Sequence, residues 1–388
     1  MRLQGLVDGF IRPAIRTVLD GKHWKWRATL FVLALSLFRA FPSYDGLFTG
    51  YDLGTWQRAL VQVDHPFTDM GRLFPDWANQ HEAMLTFRIT VPLAAHLLGL
   101  RRAGILIFQG LAGVVFLYAS LALACKITAS RKAALSVALA AACCWAGESG
   151  FHELRGGYFD IFAICLLVLA LLAESPLLTA VCMLLAAFTD ERAVLASPLV
   201  FLFAVTRSSR VGWRTLFGGK AIAVPLAIAA YGAARLYFTL KYSLAVMTGG
   251  NGLSVLSHQL NLVPLGLLTG LNGAWLLVGC GVAVLWLGRR YALAVSLLAA
   301  VALSAGSGLL VRDISRSVAY CFPAVFVALS VLSRHQSAEE VEKIAVWAGV
   351  ISLLVPEYQI YGSSTPFWLP PFLFQIFRWI FFPRLVFP

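Results

Sequence analysis

Apolar residues fall along this chain in long blocks separated by short polar stretches, not at the alternating spacing of half-buried strands or the one-sided spacing of surface helices. Ala103–Cys125 and Val263–Leu287 are the longest blocks, and about 20 consecutive apolar residues match the thickness of a bilayer core. Thirteen segments can be marked: Ala28–Phe41, Met84–Leu100, Ala103–Cys125, Ala133–Trp145, Tyr158–Ala173, Leu177–Thr189, Ala193–Thr206, Ala221–Leu240, Val263–Leu287, Ala292–Leu310, Val318–Leu332, Ile344–Val355 and Phe367–Phe382. Several are shorter than a full span, so their helices are expected to extend into the flanks or tilt little. The pattern predicts an all-α polytopic membrane protein, with residues 1–388 forming a single transmembrane domain.

The basic residues orient it. If Met84–Leu100 crosses the membrane, the loops beyond it place eleven basic residues outside (among them Lys126, Arg207, Arg290 and Arg334) against five inside. If it does not cross, those counts reverse and the positive-inside rule is obeyed, with Arg101 and Arg102 left outside. Met84–Leu100 also carries Arg88 and His96, unusual in a lipid-facing span. We therefore expect it to be an interfacial or re-entrant helix closing a long first external loop, residues 42–102. That leaves about 12 transmembrane helices (range 11–13), with both termini cytoplasmic. The first 27 residues carry Arg2, Arg12, Arg16, Lys22, Lys25 and Arg27, and the first apolar run ends in Phe41-Pro42-Ser43 without a small-residue cleavage site. The first helix is expected to remain as an anchor.

Composition closes off other classes. The chain of 388 residues is 59% hydrophobic and 13% charged, too little polar surface for a soluble protein. The net charge of +12 collects in short loops without interleaved aromatics, so it signals topology and not nucleic acid. Seven cysteines lie in or beside apolar segments without metal-site or disulfide-framework spacing.

Of the 19 acidic residues, 13 fall in the loops assigned to the outside: Asp45, Asp52, Asp64, Asp69, Asp76, Glu82, Glu148, Glu153, Asp160, Asp190, Glu191, Asp313 and Glu357. Orientation does not require this, and ionised groups at helix ends are costly unless used or paired. In the first loop, Gly50 and Gly54 flank Tyr51-Asp52, a turn that would present a carboxylate as general base or simply cap the next helix. Asp190-Glu191-Arg192 sits between two apolar segments, where the three charges either line a polar cavity or pair among themselves. Arg312 and Arg316 at a helix mouth suit a phosphate or pyrophosphate, or snorkel to the interface. Glu148 to Asp160 includes His152, and Asp160 has the place of an ordinary helix-start carboxylate. No second histidine follows His152-Glu153 or His81-Glu82 at metalloprotease spacing.

The series Tyr51-Asp52, then Arg88 with Pro92-Leu93, Tyr158-Phe159-Asp160, Thr189-Asp190-Glu191-Arg192-Ala193 and Pro198 resembles a recurring bacterial pattern similar to the GT-C superfamily of multi-spanning glycosyltransferases. It covers residues 28–206, with a weaker echo from Arg316 to Pro323. The resemblance implies a sugar transferred from a polyprenyl-phosphate donor to an unknown acceptor on the external face of a bacterial inner membrane. It implies Asp52, with Asp45 as the other candidate, as base or ligand to a divalent metal. It also implies Arg316 or Arg312 on the donor phosphate. Arg88, Asp190, Glu191, Arg192, His152 and Asp160 complete the expected substrate-binding set. The related pattern usually has Arg-Glu-Thr where this chain has Asp190-Glu191-Arg192. A transporter or lipid flippase, and a membrane transferase of acyl or phospho-groups, fit the same spans and charges; no internal repeat favours the transporter.

Overall fold

The computed structural model describes residues 12–42, 53–74, 85–207, 213–242, 253–311, 313–360 and 366–381. In chain order its helices begin with α1 (Arg12–Leu19), α2 (Trp24–Arg39), α3 (Leu53–Asp64), α4 (Met70–Leu73), α5 (Thr90–Leu97), α6 (Arg102–Thr128) and α7 (Arg131–Ala142). Next come α8 (Trp145–His152), α9 (Asp160–Leu172), α10 (Pro176–Ala187), α11 (Arg192–Thr206), α12 (Trp213–Leu216), α13 (Gly219–Tyr242) and α14 (Leu253–Gln259). The remainder are α15 (Val263–Leu271), α16 (Ala274–Leu287), α17 (Tyr291–Leu309), α18 (Ile314–Ala319), α19 (Pro323–His335), α20 (Ala338–Leu354) and α21 (Phe372–Phe381). Between α20 and α21, β1 (Tyr358–Ile360) pairs antiparallel with β2 (Pro366–Trp368), Gln359 opposite Phe367. This short ribbon is a small departure from the all-α expectation.

Sequence punctuation explains the boundaries. The Ser130 side chain caps α7, Ser175 caps α10 ahead of Pro176, and Ser337 with Glu340 forms a capping box on α20. α19 is buried from Pro323 through Leu332, as an apolar helix must be when neighbours surround it. α16 packs along it, α7 packs on α20, and α10 packs on α13. Large apolar side chains face outward elsewhere: Leu287 is 82% exposed, Leu177 74% and Leu354 73%. Such outward apolar surface suits contact with lipid and not water.

Three described helices are long and apolar enough to cross a membrane: Arg102–Thr128, Gly219–Lys241 and Tyr291–Leu309. The number rises to five if each of two bent pairs is one span. α9, α10, α11, α19 and α21 are apolar but run only 10–17 residues, roughly 15–25 Å against a core of about 30 Å.

The block Val263–Leu287 is not one straight span. α15 and α16 meet at 89°, because Asn272 adopts a positive φ of 52° and Gly273 lets the chain turn against α20. A Cβ on Gly273 would stand 2.3 Å from the Ala348 carbonyl oxygen. Likewise Ala133–Trp145 ends as helix at Ala142, and α7 and α8 are bent by 56° across Cys143-Cys144. In Met84–Leu100, the helix given by the described residues from Thr90 onward is the eight-residue α5, about 12 Å long. In Phe367–Phe382, the start pairs in β2 and the described helix α21 is ten residues long.

Candidate functional site: a buried network of arginines and carboxylates

Asp160 begins α9 and is 1% exposed. A lone carboxylate there would pay heavily for lost hydration. It is instead surrounded by donors: Arg316 Nε at 2.8 Å, Arg192 Nη2 at 2.7 Å and the Tyr320 hydroxyl at 3.1 Å. α18, buried throughout, supplies Arg316 and leads into Tyr320. Asp160 therefore does much more than open a helix.

The network continues on both sides. Arg192 donates to both Asp190 oxygens, Nε at 2.8 Å and Nη2 at 2.7 Å, and its Nη1 reaches Ser317 Oγ at 3.2 Å. Arg88 forks onto Glu191, at 3.1 and 2.7 Å, and places Nη1 3.2 Å from Asp190. On the other flank Arg316 Nη1 donates to Asp313 at 2.6 Å, and Arg316 Nε lies 3.9 Å from Glu153, which takes a two-pronged bond from Arg155 at 2.8 and 2.9 Å. The Tyr158 ring lies 4.3 Å from the Arg316 guanidinium carbon and 4.6 Å from that of Arg155. Four arginines thus face five carboxylates. Burial alone would push the Asp190 carboxyl up, but Arg192 and Arg88 outweigh it and hold it below its ordinary value.

The segment between α2 and α5 enters this site through α3. Trp56 Nε1 donates to the Leu154 carbonyl at 2.8 Å, and Gly156 N donates to Thr55 Oγ1 at 3.2 Å. Gly156 is required there: a Cβ would sit 2.7 Å from the Thr55 carbonyl oxygen. The first turn of α3, one residue beyond Asp52, therefore docks beside Glu153 and Arg155. Asp45, Asp52 and Arg312 themselves lie outside the described residues.

A second polar group lies where the helices break. Arg39, the last residue of α2, donates from Nη1 to the Val355 carbonyl at 2.5 Å and brings Nη2 to both Glu148 and, at 3.1 Å, Glu357. Asn272 donates to Glu357 at 2.8 Å and to the Cys143 carbonyl at 2.9 Å, tying one broken helix pair to the other. Glu148 Oε2, Glu357 Oε1 and Asn272 Oδ1 are buried without hydrogen-bond partners among the described residues. Burial, then the Glu148 charge, drive the Glu357 carboxyl well above its ordinary value despite Arg39 and Asn272.

The structure brings Arg88, Asp160, Asp190, Glu191, Arg192 and Arg316 together. It places His152 with the second group, its ring nitrogens 3.1 Å from the Ala40 carbonyl and 3.2 Å from that of Glu148. Arg39, Arg155, Asn272, Tyr158 and Tyr320 were not singled out as site residues. For Arg39 one signal existed: an arginine near the end of an apolar run, just ahead of a stretch rich in carboxylates. Among the described residues no trio of His, Cys, Asp or Glu is arranged to hold a metal ion. Compared with protein families, curated proteins and solved structures, the chain matches none of them.

Proposed function

We propose that the chain is a GT-C-like membrane glycosyltransferase acting on a polyprenyl-phosphate-linked sugar at the external face of a bacterial cytoplasmic membrane. One observation carries this reading: Arg88, Asp160, Asp190-Glu191-Arg192 and Arg316, drawn from four separate stretches of the resemblance, form a single network. α3 leads from Asp52 to the edge of that network. The accompanying topology is twelve crossings with both termini cytoplasmic. It counts short helices such as α9 and α11 as crossings, which calls for local thinning of the bilayer.

In this reading the donor phosphate takes the place of Asp313 on Arg316, the more accessible of that arginine's two bonded carboxylates; the Asp313 side chain is 16% exposed where that of Asp160 is 0%. Guanidinium exchange from carboxylate to phosphate keeps the fork geometry. Asp52 takes the proton of the acceptor hydroxyl, whose oxygen bonds to the anomeric carbon as the carbon–oxygen bond to phosphate breaks, and the electron pair leaves with the phosphate. Configuration inverts. Positioning and charge stabilisation supply the rate. The test is transfer from radiolabelled polyprenyl-phosphate sugars by Asp52→Asn and Arg316→Lys; transfer at wild-type rate in both variants sinks the assignment.

A transporter reading has its own observation. Two broken helix pairs meet through Asn272 and Cys143 beside the buried Arg39–Glu148–Glu357 group, and broken helices around buried charge are how many transporters form a substrate or ion site. Solute uptake by proteoliposomes, abolished by Glu148→Gln, would select it over glycosyl transfer.

A further inference from the structure

At the end of the helices opposite the arginine network, a cavity of about 550 Å³ opens between α6, α9, α11 and α13. α9 runs from Asp160 to Leu172 and α11 from Arg192 to Thr206, so 10–13 residues, roughly 15–20 Å, separate the two regions. Lys126, Glu174, Arg207 and Lys220 line the polar part of the cavity, with Phe203 and Val224 in its apolar part.

The charges do not cancel. Lys126 pairs with Glu174 at 2.5 Å. Lys220 directs its ammonium to the Ala173 carbonyl, and the Arg207 guanidinium carbon lies 5.7 Å from the centre of the Phe203 ring. No carboxylate forms an ion pair with Arg207 or Lys220 among the described residues; Glu174 acts on both only from a distance, so three cations share one carboxylate and leave the lining with a net charge of +2. Leu177 and Phe217, close in sequence to lining residues, are 74% and 64% exposed. Snorkelling accounts for basic side chains at helix ends. It does not account for a cavity of ligand size between the helices, lined by basic and apolar side chains together.

We propose that this cavity binds the phosphate headgroup of an anionic membrane phospholipid, with Arg207 and Lys220 on the phosphate and the acyl chains lying over the exposed apolar side chains beside it. Basic pockets between membrane helices are suited to such headgroups. The site is separate from the arginine network and does not depend on the glycosyltransferase reading.

The experiment is lipid binding to the delipidated full chain in neutral detergent, followed by native mass spectrometry and melting temperature. The probes are phosphatidylglycerol, phosphatidylcholine and inorganic phosphate. Phosphatidylglycerol is expected to bind and raise the melting temperature, phosphatidylcholine and phosphate at equal concentration are not. Arg207→Gln/Lys220→Gln is expected to weaken phosphatidylglycerol binding roughly thirtyfold, each basic residue contributing about five- to sixfold near an anionic headgroup. If the double variant does not fold, Lys220→Gln alone is expected to weaken it about fivefold. Undiminished binding by the variants, or equal binding of phosphatidylcholine, overturns the proposal. Equal protection by inorganic phosphate marks a small-anion site and overturns it too.

Discussion

Asp160 and Arg316 stand 156 positions apart in the chain, yet Arg316 Nε donates to Asp160 Oδ2 at 2.8 Å with both residues almost wholly buried. Neither group is affordable alone in such a place. Breaking a buried pair from one side costs about 3–5 kcal/mol, because the other charge is left without a partner. Asp160→Ala removes the carboxylate shared by Arg316, Arg192 and Tyr320 but leaves Arg316 with Asp313 and Arg192 with Asp190, so a loss at the low end of that range, about 3 kcal/mol, is expected in denaturant unfolding in mild detergent. A loss under about 1 kcal/mol, the size of an exposed pair, would contradict the buried network.

Asp190 makes a pH prediction of one sign. Its folded-state value is depressed, so its contribution is fully present above the ordinary aspartate value of about 3.9 and is lost as pH falls through the folded value. Asp190→Asn should melt below wild type at pH 7, and the gap should narrow only as the solution becomes strongly acidic. A gap independent of pH down to acid unfolding would refute the linkage.

Glu357 makes the opposite prediction. Its folded-state value is raised, so its contribution is present below the ordinary glutamate value of about 4.3 and is lost as pH rises through the folded value. Wild type is expected to lose melting temperature with rising pH over that window, and Glu357→Gln to flatten the slope. The pH dependence of melting in both proteins is the check, and equal slopes would exclude Glu357 as the source.

The break between α15 and α16 depends on Gly273. Its missing side chain leaves room for the Ala348 carbonyl and for Ser352 N, which a Cβ would approach to 2.3 and 2.6 Å. Both are backbone atoms, so Gly273→Ala is expected to destabilise by about 1–3 kcal/mol, as overpacking does. Gly279 in α16 has nothing within 4 Å of a Cβ, and Gly279→Ala should be neutral or stabilising by up to about 1 kcal/mol. Melting of the two variants side by side distinguishes a tight crossing from general intolerance to substitution.

Seven carboxylates near helix ends could be marked from the chain, and Glu148, Glu153, Asp160, Asp190, Glu191, Asp313 and Glu357 all end up in the two buried groups. Helix-end placement and scarcity of charge were enough to mark them. The neighbours of each were not legible, since Arg39 meets Glu357 across 318 positions and Arg316 meets Asp160 across 156. Spacing along a helix says nothing about contacts of that range. The hydropathy blocks located the apolar helices well but hid their breaks. Asn272-Gly273 interrupts an otherwise uniform run by one backbone angle, and averaging over a block cannot register that. Asp190-Glu191-Arg192 divides the same way. Its internal pair, Asp190 with Arg192, was one of two local options, whereas the clasp of Glu191 by Arg88 depends on how α5 is laid against the end of α10.

α8 is only eight residues long, and it is held at both ends. Glu148 in its first turn joins Arg39, and Glu153 just past its end joins Arg155 and approaches Arg316. Gln109 of α6 grips its far end through the carbonyls of Ser149 and Glu153, at 3.2 and 2.6 Å. A segment this short and this tethered behaves as a rigid crossbar. A rearrangement that tilts α8 as a body would carry Glu148 and Glu153 together, so one short helix ties the geometry of the two charged assemblies to each other.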